Sequence, residues 1–465
     1  MSLVLSTARL GLQLSFSRIR NGKSGPTMDI FSIIAFVFSS FLALTVAGGT
    51  WMFVERNAHP TARIIETLNM EELGFEQGTL IHVVLAIVAC ALLVIPVLNL
   101  GAGASRLGAQ SRATRLASLR LIGMSGSQVL KMSMLETLIQ AVIGPLLGTL
   151  LWLASLPLWQ GISFQGQTIA PQEMLLPFWL WGAVLLVIVF LAVISTIIGL
   201  RRVQISPLGV ARRENPKKLK LWRLVFLVVA IIAFVVINSC FNVLDAVVGT
   251  YIVIGGTIVL VIFGINVVGP LILQTVARLT VRSGRVAQLV ASRRIIADPK
   301  GAWRNVSGIA LLGLIATFGA MIPADDPNRA AYDQAMLSDL RTGVYITFAV
   351  GLVVAAVSTL ISQASIVLER TGESKALSEL GFPNKVFAQI RVNHVLWPLI
   401  LTLAFSIAAG LFITVPFSSE FRFTATGIGT LAVLVASGIL LSLLVALACT
   451  PLQKVALSGA GRKND

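Results

Sequence analysis

Charge is what this sequence has least of: 12% of its 465 residues are Asp, Glu, Lys or Arg, about half the share found in an average soluble domain. That shortage argues against a water-soluble globular protein. Cysteine is equally sparse. Cys90, Cys240 and Cys449 all fall inside apolar runs, so a disulfide scaffold is excluded. None has a second Cys or a His at ligand spacing, and no metal site is expected. There is no Ser-His-Asp set, no paired carboxylates and no His-Glu-x-x-His, so no catalytic residue is expected and the chain reads as a non-enzyme. Gly22-Lys23-Ser24 resembles the end of a phosphate loop. The pattern needs Gly at position 17, however, where the chain has Ser17, and no strand precedes it.

Apolar residues make up 56% of the chain and mean hydropathy is +0.88. The polar residues are gathered between long apolar runs, the pattern lipid imposes when it replaces water as solvent. Ten runs are long enough to span a bilayer: 30–54, 80–100, 134–158, 178–200, 221–240, 247–276, 306–322, 344–368, 392–415 and 424–450. The first starts too late, and is too long, for a cleaved signal segment. Trp51, Trp152, Trp159, Trp179 and Trp181 fall near one set of run ends and Trp222, Trp303 and Trp397 near the other, as an aromatic belt would place them.

The net charge of +16 would suggest nucleic acid in a soluble protein, but its distribution gives it another meaning. With the N-terminus inside, the inner segments hold 31 of the 36 Lys and Arg, and the outer loops hold only Arg56, Arg63, Arg329, Arg341 and Arg422. The outer loops also hold 12 of the 20 acids, Asp339 among them. By the positive-inside rule both termini are cytoplasmic, and the basic surplus faces anionic headgroups. No nucleic-acid partner is needed. The longest outer loops, 55–79 and 323–343, have about 25 and 21 residues and leave room for a small extracellular partner at most.

The inner segment 105–129 places Leu116, Leu119 and Ile122 on one face and Arg112, Arg115 and Arg120 on another, which predicts a short amphipathic helix ended by Gly123. A second short helix through Gln128 and Lys131 is expected to lead into the third span, where Glu136 lies near the start of the apolar run. The segment 369–387 repeats this layout 258 residues later without a gap: Leu119 matches Leu377, Ile122 matches Leu380, Gly123 matches Gly381, Met124 matches Phe382 and Glu136 matches His394. A weaker correspondence links Arg9, Arg18 and Arg20 with Arg293, Arg294, Lys300 and Arg304. Internal repetition predicts four spans, two linking spans and four spans. His82, Asn99, Asn238, Asn266 and Asn393, near span ends, are expected to make packing hydrogen bonds. The basic segment 105–128 could lie on the leaflet as an interfacial helix. Its reappearance in register, with net charge +1 over 369–391 against +5 over 106–131, favours a protein-docking role with unequal contacts at the two sites.

These residues resemble the FtsX-like permease domain of MacB-type (type VII) ABC transporters. The elements that carry the likeness are the charged amphipathic stretch, Leu-x-x-(Ile/Leu)-Gly-(Met/Phe), and a span bearing Glu136. It covers both four-span units and is closer in the first. The form is the ten-span one, without the large external domain that relatives carry between the first two spans or between spans seven and eight. The resemblance implies an all-α polytopic membrane protein of ten transmembrane helices. Residues 1–29 would form a cytoplasmic amphipathic segment and 30–200 the first four-helix unit, with a coupling helix at 105–128. Residues 201–276 would be a basic loop and two linking spans, and 277–305 a second amphipathic segment. The second unit would occupy 306–450, with a coupling helix at 369–387, and 451–465 would form a tail.

The resemblance further implies a permease subunit in a bacterial plasma membrane that exports or extracts an amphipathic peptide, drug or lipid. ATP and Mg would be bound by two copies of a separate ABC ATPase, and no cofactor by this chain. The ATPase would dock on Arg115, Leu116, Leu119, Arg120, Ile122, Gly123 and Met124, and on Lys375, Leu377, Leu380, Gly381 and Phe382. Glu136 and His394 would be the intramembrane polar pair. Two alternatives stay open: a mechanical transmitter that moves no solute, and an ion-coupled secondary transporter.

Overall fold

In a computed structural model the described residues are almost wholly helical. The structure describes residues 26–68, 79–94, 96–101, 103, 123, 125–205, 222–239, 247–282, 285–323, 330–369, 371–381, 383–414 and 424–451. The helices are α1 (Pro26–Ala58), α2 (Ala62–Thr67), α3 (Thr79–Gly101), α4 (Gly126–Ser155), α5 (Phe178–Ile205), α6 (Trp222–Ser239) and α7 (Val247–Thr280). They continue as α8 (Val286–Ala297), α9 (Pro299–Met321), α10 (Ala331–Glu369), α11 (Thr371–Glu379), α12 (Asn384–Thr414) and α13 (Ala425–Ala448). Between α4 and α5 lie two 3-10 turns, Leu156–Gly161 and Pro171–Met174, flanking a hairpin of β1 (Ser163–Phe164) and β2 (Gln167–Thr168).

Among the described residues, eight helices are long and apolar enough to cross a membrane: all or most of α1, α3, α4, α5, α7, α10, α12 and α13. The fifth and seventh of the ten apolar runs appear as the shorter apolar helices Trp222–Val236 and Val306–Met321. The eighth starts at Ala331 and not near 344, because Asp333 and the residues after it favour continuing the helix over a loop. Asp339 is thereby on a helix and buried.

By packing, the chain divides into two compact units. One comprises Met1–Thr45, Val97–Ser155 and Leu176–Glu214; the other comprises Val46–Pro96, Leu156–Leu175 and Asn215–Asp465. In the first unit, α4 carries the ridge Glu136, Gln140, Gly144 and Gly148 at i, i+4 spacing. Gly144 lies so close to Phe36, and Gly148 to Ser40 and the Val37 carbonyl, that neither position has space for a Cβ. Lipid supplies no hydrophobic drive between helices, so such close backbone approach is what holds α1 on α4. Ser32 donates to Gln140 at 3.1 Å on the same seam, and Ser39 to the Val97 carbonyl. On the other side of α4, Thr196 of α5 donates to Thr137, and Trp181 to Thr149.

In the second unit, α9 is the central element. Its Leu311, Leu312, Ile315 and Ala316 are buried in a core that also takes Ile262 and Ile265 from α7, Phe348 and Ala355 from α10, and Leu399 and Leu403 from α12. Trp303, expected at the membrane interface, is buried instead. Its ring covers Gly269 of α7 so closely that no side chain would fit there, and its Nε1 donates to Asn266. Trp152 is buried as well, while Trp179, Trp222 and Trp397 are exposed as a belt requires. Asn266 thus makes the packing hydrogen bond that its position predicts.

Candidate functional site

The second copy of the repeated segment is mostly described. Helix α11 follows α10 directly and closes with Leu380 N–H donating to the Ala376 carbonyl and Gly381 N–H to the Ser378 carbonyl. Gly381 has φ +85°, a conformation that costs a non-glycine residue about 1–2 kcal/mol. Leu377 is half-buried and Leu380 is 74% exposed. Ser374 and Phe387 are buried and anchor the segment on either side. Lys375 lies on α11; its side chain, and Phe382, lie outside the described residues.

In the first copy, Arg115, Leu116, Leu119, Arg120, Ile122 and Met124 lie outside the described residues. Gly123 is described, is exposed, and has φ +106°. The two glycines matched by the repeat therefore share the left-handed conformation. Among the described residues neither has a neighbour within van der Waals reach of a Cβ, so the left-handed conformation is what calls for glycine at both. Just beyond, Ser125 N–H donates to Gln128 Oε1 while Gln128 N–H donates to Ser125 Oγ. This is a reciprocal cap that starts α4. The separate short helix expected through Gln128 and Lys131 is the first turns of α4 itself, because nothing between Gly126 and the apolar run breaks the helix. In the second copy α12 likewise runs unbroken from Asn384.

Because no described neighbour opposes a methyl group, Gly381→Ala should cost about 1 kcal/mol from backbone strain alone. Gly256→Ala, in a helix and equally open, should cost nothing. Denaturant unfolding of the two variants checks the difference.

Glu136 is buried on the α4 ridge, one turn before Gln140, and His394 is half-buried on α12. The structure brings a different polar set together, one the sequence did not reveal. At the end of α1, Arg56 is 3% exposed and donates to Glu173 Oε2 from Nε at 3.1 Å and from Nη2 at 2.6 Å. Its Nη1 donates to the Phe164 carbonyl at 2.9 Å, and Nη2 also reaches the Thr168 carbonyl at 3.2 Å. One guanidinium thus holds the hairpin and the 3-10 turn that follows it. The hairpin turns at Gln165 and Gly166, with φ of 57° and 70°, the left-handed pair that a two-residue turn matching the strand twist requires. Gln167 braces the arrangement by donating to Glu173 Oε1 and accepting from Thr61.

From the other side, Asp339 Oδ2 of α10 accepts from Gln165 N–H at 2.8 Å and lies 3.1 Å from His82 Nε2 of α3. Both side chains are buried. His82 stacks beside Phe53, and Phe53 meets Phe164 edge-on. His82 therefore makes the packing hydrogen bond expected of it. Five elements, α1, α3, α10, the hairpin and the 3-10 turn Pro171–Met174, are pinned by Arg56, Glu173, Asp339 and His82. The charged groups Arg56, Glu173 and Asp339 are engaged with protein, while His82 Nδ1 and the Gln165 side-chain amide are buried without a partner among the described residues; the ties across the clamp suit it to transmit or resist displacement.

Among the described residues there is no group of three or more His, Cys, Asp or Glu placed to hold a metal ion. Residues 84–207 match the family model described as FtsX-like permease C-terminal. The matched stretch takes in most of α3, the predicted coupling segment 105–128, α4, the hairpin and α5. No curated protein matches the chain.

Proposed function

We propose that this chain is the membrane permease subunit of an ABC-type transporter, driven by separate ATPase subunits that dock on 105–128 and 369–387. The observation that carries the reading is the FtsX-like match over 84–207, which includes the first of these segments. The second is tied to it by the gapless repeat, and the glycines at matched positions share the left-handed conformation. The ten-span, two-unit form belongs to this proposal. So do the MacB-type assignment, cytoplasmic termini in a bacterial plasma membrane, and two ATPase copies per chain. On this orientation the clamp around Arg56 faces outside, and the exposed Leu380 faces the ATPase. The chain supplies no catalytic group, ATP and Mg being held by the partner. Short helices seated on spans can pass on a rigid-body displacement, and the cargo is an amphipathic peptide, drug or lipid, consistent with the scarcity of acids in the spans.

The test is ATP hydrolysis by the ATPase reconstituted with this chain in proteoliposomes. Leu377→Asp, which puts a charge on the docking face beside the exposed Leu380, should reduce vanadate-sensitive hydrolysis at least fivefold while the protein remains folded. Unchanged hydrolysis would refute docking at this segment. One observation favours a second reading, ion-coupled transport: the buried His82–Asp339 pair lies on two helices able to span a membrane. Its test is solute flux driven by a pH gradient without ATP, and flux abolished by Asp339→Asn would favour it. It ranks second because Asp339 Oδ2 is already occupied by Gln165 N–H and His82, as a structural pin would be.

A further inference from the structure

Helix α11 hangs between α10 and α12, and the end of α13 joins those two helices to each other. On α12, Arg391 is buried, and its Nη2 donates to Thr450 Oγ1 at 3.0 Å, just past the end of α13. Thr450 Oγ1 donates in turn to the Leu447 carbonyl. Cys449, the C-cap of α13, is also buried, and its Sγ faces the Leu360 carbonyl of α10 at 4.0 Å. Leu360 lies nine residues before α10 stops at Glu369, and Arg391 seven residues after α12 starts at Asn384. At 1.5 Å rise per residue, these ties are about 14 and 10 Å along the helices from the ends that carry α11.

Of the two ties, the thiol contact is weak, as sulfur donors are. The guanidinium is the costly one. Taking a charge out of water is unfavourable unless oriented acceptors meet it, and the planar fork of an arginine fixes a direction that apolar packing leaves free. In the register of the repeat, 258 residues apart, Arg391 stands where the first copy has Ser133, which is buried too but carries no charge and has little reach. The tie therefore marks the second copy. Seven residues beyond Arg391, Pro398 removes a backbone hydrogen bond from α12 and gives it a place to bend. Arg391 lies between that place and α11. Were α12 free there, a push on α11 would be taken up at Pro398; fixed to α13, the start of α12 passes the push on.

We propose that Arg391 is a positioning residue of the second docking segment. By fixing the start of α12 to the end of α13 it makes α11 and α13 move as one body, so that a displacement of α11 reaches α13 and is not lost in bending at Pro398. This role rests on α11 being the ATPase-docking helix; the tie itself does not.

Ser378 of α11 and Leu444 of α13 are both exposed and take spin labels as cysteines, in a full chain with Cys90 and Cys240 replaced by alanine and the buried Cys449 kept. Pulsed electron spin resonance in nanodiscs then reads the spacing of the two helices. With Arg391 and Thr450 intact, one narrow distance is expected, unchanged when the ATPase is bound and trapped with ATP and vanadate. Arg391→Met and Thr450→Val, which remove the donor and the acceptor at nearly constant volume, should each lose the single narrow distance, and Arg391→Lys, which keeps charge and a donor, should largely retain it. A narrow distance in either Arg391→Met or Thr450→Val would overturn the tie. A distance that shifts on trapping with both residues intact would overturn the motion as one body. If no ATPase binds, docking at α11 fails and the role falls with it, while the distances measured without ATPase still decide whether Arg391 holds α12 to α13.

Discussion

Arg56→Ala is expected to destabilise the second unit by about 3 kcal/mol, the cost of breaking a buried pair and leaving its partner behind. The guanidinium is 3% exposed and Glu173 is 23% exposed, so solvent screens the pair only slightly. Removing the arginine leaves one carboxylate and the Phe164 and Thr168 carbonyls without their donor. Arg56→Lys keeps the charge but cannot fork to three acceptors at once, and should cost about half as much. Glu173→Gln keeps an acceptor and should cost about 1 kcal/mol, the net value of a hydrogen bond. Denaturant titration in mild detergent, followed by tryptophan fluorescence, ranks the three. If Arg56→Ala unfolds with wild type, the clamp does not hold the hairpin.

Gly148→Leu is the second large effect, about 3 kcal/mol, and it falls on the first unit. A side chain at 148 would enter the space of Ser40 Oγ and the Val37 carbonyl. Backbone cannot yield as a flexible side-chain tip can, so α1 and α4 must separate, at the upper end of overpacking costs. Separation also strains the Ser32–Gln140 bond about two turns along the same seam. Gly182→Leu on α5 is the control, since nothing lies within 4 Å of that position; there, loss of a helical glycine should be neutral or stabilising by up to about 1 kcal/mol. The thermal unfolding temperature should therefore fall for Gly148→Leu and hold or rise for Gly182→Leu. Matching shifts would mean that α1 and α4 do not meet at Gly148.

The contrast between these two sites shows what was legible in the sequence. Long apolar runs impose helices because lipid leaves the backbone no other partner, so the spans are visible in composition alone. The glycines ending both repeated segments are legible for a similar reason, since a left-handed helix end calls for glycine whatever surrounds it. Gly144 and Gly148 have the small-residue spacing of a helix-packing face, but only the fold shows that Phe36 and Ser40 are what they meet. The clamp left no local signal. Arg56 and Glu173 are 117 residues apart and His82 and Asp339 are 257 apart, each looking like an ordinary loop or span-end residue. The strands that carry Phe164 and Thr168 are two residues long, too short for any alternation to be read. Trp303 misled for the complementary reason: an aromatic near a span end suits the interface equally well, and only the opening above Gly269 decides that it turns inward.

On the proposed reading this chain is the membrane half of a machine whose motor is a separate ATPase, seated at two repeated positions. The most direct measurement is the native mass of the complex purified with the ABC ATPase encoded beside it, for wild type, Leu119→Asp, Leu377→Asp and the double variant. The account predicts two ATPase copies on wild type, one on each single variant and none on the double. A wild-type chain that carries no ATPase, or a double variant that keeps both copies, would contradict it.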